Sequence, residues 1–273
     1  MAPKFINKLH DKRVLVVGGS TGIGFAVAQG AVEHGAHVIL SSSNQTKLDT
    51  AITRLKDHLE SNGLAPRDIA GKTCDLSNPD TIEDNVKSLL EFATQGGNID
   101  HVVFTAGDPV RTVAIDKVVL PDIAKASTVR ITGAIMLAKH LPKYMTPGTN
   151  SSLTLTGGTM SWRPGPGWSV LAGTAAGAEP LSRALAIDLK PLRVNCAVPG
   201  AIHTELFDNI PKEILPGVLE TMKKDTITGT VGTAEQMAEV YLYLMKSTFA
   251  TGSTVVADGG RMVGDSKGAD ITI

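Results

Sequence analysis

The chain has 273 residues, of which 42% are hydrophobic and 19% charged, with a formal net charge of -1; that length suits residues 1–273 folding as one domain with a sizeable core. The even charge balance excludes nucleic acid and anionic membrane as principal partners, because both select a strongly basic surface. No apolar run is long enough to cross a bilayer and the first residues lack a signal-peptide core, so the expected location is cytoplasmic.

Residues 14–17, VLVV, read as a buried strand, and residues 23–34 as the helix after it. Residues 37–40 are a second strand. Residues 44–62 form a polar-faced helix, with Leu48, Ile52, Leu55 and Leu59 near helical spacing. A short strand ends at residues 73–74, and residues 79–94 are a helix capped by Asn78. Strands follow at 99–104, 152–156, 193–198 and 254–257, with helices at 127–144, 173–189 and 234–247. Such alternation predicts an α/β fold, a doubly wound parallel sheet with helices on both faces. Residues 200–232 interrupt the alternation and are the candidate insertion that covers a substrate pocket. Residues after Gly260 lack periodicity and are expected to be mobile or to reach a neighbouring subunit.

Residues 17–24, VGGSTGIG, leave the first strand and open the first helix, which is the context a dinucleotide loop requires. Gly18 permits a tight turn. Gly22 and Gly24 allow close approach of backbone to a pyrophosphate, and Ser20, Thr21 and Ile23 complete the loop. The helix N-terminus offers unpaired N–H groups and partial positive charge. The second strand runs into Ser41, Ser42, Ser43 and Asn44, with no carboxylate before Asp49. An NAD site places an acid there for the ribose hydroxyls. Small donors at Ser42, Ser43 and Asn44 instead leave room for a 2′-phosphate, so NADP(H) is the favoured cofactor. The plainer alternative is that these residues turn the chain and cap the helix, with Lys47 simply solvated.

With these residues placed, the chain resembles the short-chain dehydrogenase/reductase family along nearly its whole length. Gly18, Gly22 and Gly24 match the family's glycine loop. Asp75-Leu76 is similar to the pair that holds the adenine, and Thr105-Ala106-Gly107 to the Asn-Asn-Ala-Gly stretch with its asparagines altered. The run from Pro199 through Gly200, Ile202 and Thr204 resembles the loop that packs on the nicotinamide. Thr251-Gly252 and Asp258-Gly259-Gly260 resemble the C-terminal signature. The resemblance implies a Rossmann-type sheet of about seven strands, a small-molecule substrate and a homodimer or homotetramer.

The family's usual chemistry uses Asn, Ser, Tyr and Lys. Aligned by the resemblance, those places hold Arg130, Gly157, Val170 and Thr174. The three tyrosines, Tyr144, Tyr241 and Tyr243, have no lysine four residues on. Reducing a neutral ketone needs a proton donor for the developing alkoxide, which Val170 and Thr174 cannot supply. Hydride transfer to a cationic, iminium-like carbon needs none, and neither does a cyclisation governed by shape and electrostatics. A redox-neutral isomerase or cyclase with a structural cofactor, and an inert NADP(H)-binding scaffold, are the alternatives.

A narrower resemblance points the same way. Residues 22–29, GIGFAVAQ, 141–145, LPKYM, 166–169, PGWS, and 191–195, PLRVN, are similar to fungal reductase/Diels–Alderases of bridged-ring indole alkaloid biosynthesis, the malbrancheamide and paraherquamide type. That resemblance implies a polycyclic substrate, NADPH reduction of an iminium-type intermediate and a guided [4+2] cycloaddition. It assigns catalytic places to Arg130 and Trp168. An aspartate of those enzymes, three residues before the tryptophan, is Gly165 here; Asp108 is the substitute by position.

The same residues carry plainer readings. Arg130 either contacts substrate or cofactor or forms an internal ion pair with Asp108. Trp168 either stacks on a planar substrate or plugs the core. His203 and Glu205 lie beside the nicotinamide loop, with His203 either an acid or a surface side chain. Ser161, Trp162 and Arg163 either face the pocket or solvent, and Thr156 and Thr159 offer hydroxyls without an activating partner. Cys74 and Cys196 make no CxxC pair, and no Cys/His cluster has metal-ligand spacing; buried free thiols and no metal are expected.

Overall fold

The computed structural model describes residues 4–109 and 111–266. Its centre is a seven-stranded parallel sheet. The strands are β1 (Arg13–Val17), β2 (His37–Ser42), β3 (Ile69–Thr73), β4 (His101–Phe104), β5 (Ser152–Thr156), β6 (Arg193–Pro199) and, at the far edge, β9 (Thr254–Ala257). Their spatial order is β3-β2-β1-β4-β5-β6-β9, so the chain reverses direction of travel between β1 and β4. In such sheets the carboxyl ends of the two strands at that reversal are the usual ligand position.

Strand β1 shows why a continuous apolar run was needed. Val14 and Val16 belong to one core, while Leu15 and Val17 belong to the other, because successive side chains point to opposite faces. Helices α1 (Gly22–Glu33), α2 (Gln45–Ser61) and α9 (Ala234–Lys246) supply the first core. Helices α3 (Ile82–Ala93), α5 (Ala134–His140) and α7 (Ala178–Asp188) supply the second. Each sheet face is thereby covered, as a parallel sheet requires.

Three helices depart from the sequence-based spans. The helix expected at 79–94 begins at Ile82. Asn78 instead turns the chain, its Oδ1 accepting from the Asp80 N–H at 3.0 Å. The helix expected at 127–144 is longer and irregular. It starts as α4 (Leu120–Ser127), where the Val119 N–H donates to Asp122 Oδ2 at 3.2 Å, and passes through a π turn at Thr128–Gly133. It then continues as α5 and closes in a 3-10 turn at Leu141–Lys143, where Pro142 cannot extend it. The helix expected at 173–189 is two helices, α6 (Ser169–Ala175) and α7. Pro180 is tolerated in the first turn of α7 but not inside a longer helix, so the break falls just upstream.

Residues 200–232 are an excursion from the strand–helix alternation. Two-residue strands β7 (Ile202–His203) and β8 (Gly232–Thr233) pair at its base. A 3-10 turn (Glu205–Asn209) and α8 (Leu215–Lys224), which buries no residue fully, make up the rest. The segment after Gly260 is held down as far as residue 266. The Thr228 N–H donates to the Gly259 carbonyl and the Ser266 N–H to that of Lys224, both at 3.1 Å. Residues 267–273, on which the mobile-tail expectation also fell, lie outside the described residues. Among the described residues no helix is long and apolar enough to cross a membrane.

Two buried basic side chains tie the lower end of the sheet together. The guanidinium of Arg193 donates to the carbonyls of Thr149, Leu244, Ala250 and Met245 at 2.6–3.1 Å. Two of those acceptors lie in the last turn of α9, where a cation is favoured. His101, two strands away across Ser152, sets its Nδ1 2.9 Å from Ser152 Oγ. Desolvation pushes the His101 pKa from the ordinary 6.5 down to about 3, against the pull of Asp100. The folded state thus keeps His101 neutral while the unfolded chain protonates below pH 6.5. Its contribution to stability is complete above that value and declines as pH falls toward 3, by ~1.4 kcal/mol per pH unit. Urea unfolding of His101→Gln should show a shallower loss of stability between pH 6.5 and 4 than the parent. An unchanged slope would contradict the assignment.

Candidate functional site

The turn after β1 is fastened from two sides. The N–H groups of Gly18 and Gly19 donate to the Ser41 carbonyl at 2.9 and 3.0 Å. The hydroxyl of Thr105, at the end of β4, donates to the carbonyls of Val17 and Gly18 at 3.2 and 3.1 Å. Gly18 has φ of +90°, and a Cβ there would sit 2.6 Å from the Ala106 nitrogen. Only glycine fits both demands. The altered asparagine stretch therefore locks the loop to β4 through a threonine hydroxyl. Ser20 is buried, with its hydroxyl 3.0 Å from that of Ser42.

The loop delivers the N-terminus of α1 to the carboxyl ends of β1 and β4. Thr21 makes no side-chain cap and the first turn carries no acid, so Gly22, Ile23 and Gly24 present N–H groups with no capping side chain of their own. The Gly22 N–H meets Glu205 Oε2 at 2.8 Å. A carboxylate of the chain itself is thus held where a pyrophosphate would bind, and the cradle fits an anionic cofactor.

The remaining cofactor candidates follow the carboxyl ends of the other strands. Asn44 caps α2, its Oδ1 accepting from the Lys47 N–H at 2.9 Å, and Ser42 Oγ accepts from the Asn44 N–H at 3.3 Å. Ser43 is exposed. Asp75 Oδ1 accepts from the Ser77 N–H at 2.8 Å, while Leu76 is buried against Gly133. After Pro199 the Gly200 N–H donates to the Ala257 carbonyl at 3.0 Å. Ile202 pairs with Gly232, and Thr204 packs against Gly22. One end of the sheet thus gathers residues 18–24, 105–107 and 199–204.

Arg130 lies in the π turn, a distortion frequent at functional sites, and is half-buried. Its guanidinium donates to the backbone carbonyl of Asp108 and lies over Gly107, where any Cβ would collide with it. The contact is therefore not the carboxylate ion pair weighed from the sequence. Desolvation lowers the Arg130 pKa, opposed by the charge of Asp108. Asp108 Oδ2 is buried with no hydrogen-bond partner among the described residues. Helix α6 packs against both α4 and the π turn, and Trp168 stands half-buried at its N-terminus. The Val113 N–H donates to the Gly167 carbonyl at 2.9 Å, stitching the loop after β4 to the one before α6. A side chain at Gly165 would start 3.3 Å from the Trp168 ring.

Val170 and Thr174 lie on α6, where the Thr174 hydroxyl donates to the carbonyls of Val170 and Leu171 at 3.2 and 3.0 Å. Position 157 faces Cys196 Sγ and Val198. Thr156 is engaged, its hydroxyl donating to the Phe104 carbonyl at 2.7 Å and meeting the buried Tyr241 hydroxyl at the same distance. Burial pushes the Tyr241 pKa up. Tyr243 is on the exposed side of α9. Tyr144 pairs its carbonyl with the Ile99 N–H at the opposite end of the sheet from the glycine loop. His203 is exposed and set edge-on to the Phe207 ring at 5.4 Å. Cys74 and Cys196 are free and buried, and desolvation pushes both thiols up to about 12. Among the described residues no cluster of His, Cys, Asp and Glu could hold a metal.

Sequence reasoning missed Glu179 altogether. It is buried in the first turn of α7, and the Trp162 indole N–H donates to its Oε1 at 2.6 Å. No local pattern signals its burial, since the residues that follow on α7 mix polar and apolar. Arg163, the next residue along from Trp162, donates to the Arg261 carbonyl at 2.7 Å, and Arg261 donates back to the Arg163 carbonyl at 2.6 Å. Trp162 is 54% exposed but has its indole N–H engaged, and Arg163 is half-buried.

Comparison with known proteins places this arrangement. The SDR-like Rossmann domain family matches residues 5–263. The short-chain dehydrogenase/reductase ucsE of Acremonium sp is 41% identical over 265 residues, covering 96% of this chain and 100% of that protein. The short-chain dehydrogenase/reductase malC of Malbranchea aurantiaca is 40% identical, covering 93% of this chain and 96% of that one. The solved structure of the MalC reductase/Diels–Alderase from Malbranchea aurantiaca superposes with a TM-score of 0.90 at 39% identity, covering 94% of this chain and 99% of that one.

The Trp162–Glu179 contact yields a stability test. Trp162→Phe leaves a buried carboxylate without its donor and should cost about 1–3 kcal/mol in urea unfolding. Replacing both partners, Trp162→Phe with Glu179→Leu, should recover part of that loss. Additive losses would contradict the contact.

Proposed function

The chain belongs to the short-chain dehydrogenase/reductase family, and from that membership we propose an NADP(H)-dependent enzyme of secondary metabolism. It reduces an iminium-like carbon of a polycyclic substrate, guides a cyclisation such as a [4+2] cycloaddition, or does both. The observation that carries this reading is a helix N-terminus in the same chain that already holds a carboxylate, together with Val170 and Thr174 at the aligned tyrosine and lysine places, the latter with its hydroxyl spent on backbone carbonyls. The likeness to ucsE and malC, and the reductase/Diels–Alderase activity named for MalC, support it.

In this reading residues 18–24 hold the pyrophosphate, Asp75 and Leu76 the adenine, and Ser42, Ser43 and Asn44 the 2′-phosphate. Thr105, Ala106, Gly107, Pro199, Gly200, Ile202 and Thr204 flank the nicotinamide. The bound cofactor supplies hydride. An iminium carbon becomes neutral on accepting it, so no proton donor is required at 170 or 174. The unpartnered Asp108 oxygen offers negative charge to a cationic centre. Arg130 holds the Asp108 loop in place through its carbonyl, and Trp168 offers a flat apolar face. The flap at residues 200–232 covers the single-domain site.

Titration should give tighter binding of NADPH than of NADH. Purified protein should oxidise NADPH with a model cyclic iminium salt but not with simple ketones. Asp108→Asn should lower the iminium rate by about a hundredfold, and Gly165→Asp in that background should restore part of it. Brisk ketone reduction would sink the proposal. Product formation from a cyclisation precursor with unchanged nicotinamide absorbance would favour the redox-neutral alternative.

A further inference from the structure

The positive end of α1 already holds an anion. Glu205 Oε2 accepts from the Gly22 N–H at 2.8 Å, across 183 positions of sequence. Nothing local competes for that role, since Thr21 makes no side-chain cap and the first turn of α1 contains no acid. The approach is set by the preceding residue. Thr204 packs its methyl against Gly22 and begins the 3-10 turn that Glu205 opens. Immediately before it, the β7–β8 ladder anchors the base of the flap. The carboxylate is therefore placed by the fold on a backbone donor that the dinucleotide loop reserves for phosphate.

We propose that Glu205 is a built-in competitor for the cofactor's pyrophosphate, and that binding of the dinucleotide expels it from the α1 N-terminus. The inference rests on the dinucleotide-site reading above. One N–H cannot serve both anions, and a carboxylate left beside a pyrophosphate would be repelled by it. Expulsion moves the first residue of the flap's 3-10 turn, so cofactor entry and rearrangement of the flap's base are one event. The two are linked reciprocally: whatever draws Glu205 away from Gly22 tightens cofactor binding.

The test compares the full-length parent with Glu205→Gln and Glu205→Ala. Dissociation constants are measured for NADPH and for adenosine 2′-monophosphate, which carries no pyrophosphate. Loss of a carboxylate from a helix N-terminus should tighten NADPH about three- to tenfold, and should leave adenosine 2′-monophosphate unchanged. Unaltered or weaker NADPH binding in both variants would overturn the proposal. So would an equal gain for both ligands, which signals general loosening. If neither parent nor variants bind NADPH or NADH, the dinucleotide reading itself falls and this inference with it.

Discussion

The site depends on one close contact, the seating of the Gly18 turn against Thr105 and Ala106. The two segments meet because β1 and β4 are neighbours, paired from Val14 with His101 to Val17 with Phe104. A Cβ at position 18 would press on the Ala106 backbone, and the Thr105 hydroxyl spans the gap to two carbonyls of the turn. This contact sets the direction in which α1 leaves the sheet. It therefore sets where the helix's free N–H groups and partial positive charge are aimed. Without it the glycine loop would be an ordinary turn.

Around that point the chain arranges three carboxylates in three different ways. Glu205 is satisfied by a helix N-terminus, Glu179 by an indole N–H, and Asp108 keeps one buried oxygen unpartnered among the described residues. A buried polar atom left without a hydrogen bond costs stability, so the Asp108 oxygen is the least satisfied of the three. Arg130 could have relieved it but is directed to the backbone carbonyl instead. The π turn that carries Arg130 is a second departure from regular structure at the same spot. Two irregularities in contact are more informative than either alone.

The periphery of the site is held by backbone carbonyls rather than by a deep apolar core. Arg163 and Arg261 clasp each other's carbonyls, and residues 258–266 lie against the loop after α8. Helix α8 itself buries no residue fully. Elements with few buried apolar contacts open at low cost. The sheet below, with its two continuous cores, supplies the rigid counterpart.

Much of this architecture was legible in order along the chain. The VLVV run, the glycine loop and the alternation of strand and helix declare a parallel sheet, since each follows from local periodicity and turn chemistry. The residue types at positions 170 and 174, valine and threonine, are likewise read directly from the chain. Local patterns were less reliable where proline or a π turn intervened, as at Pro180 and Thr128–Gly133, because helical spacing survives a break in hydrogen bonding. The partners of individual charges were out of reach. That Glu205 meets Gly22, that Trp162 holds Glu179 and that Arg130 bypasses the Asp108 carboxylate are contacts between distant segments. Sequence determined the order of the elements and named most of the candidate groups; only tertiary packing decided which of them find partners, because that depends on distances no local pattern encodes.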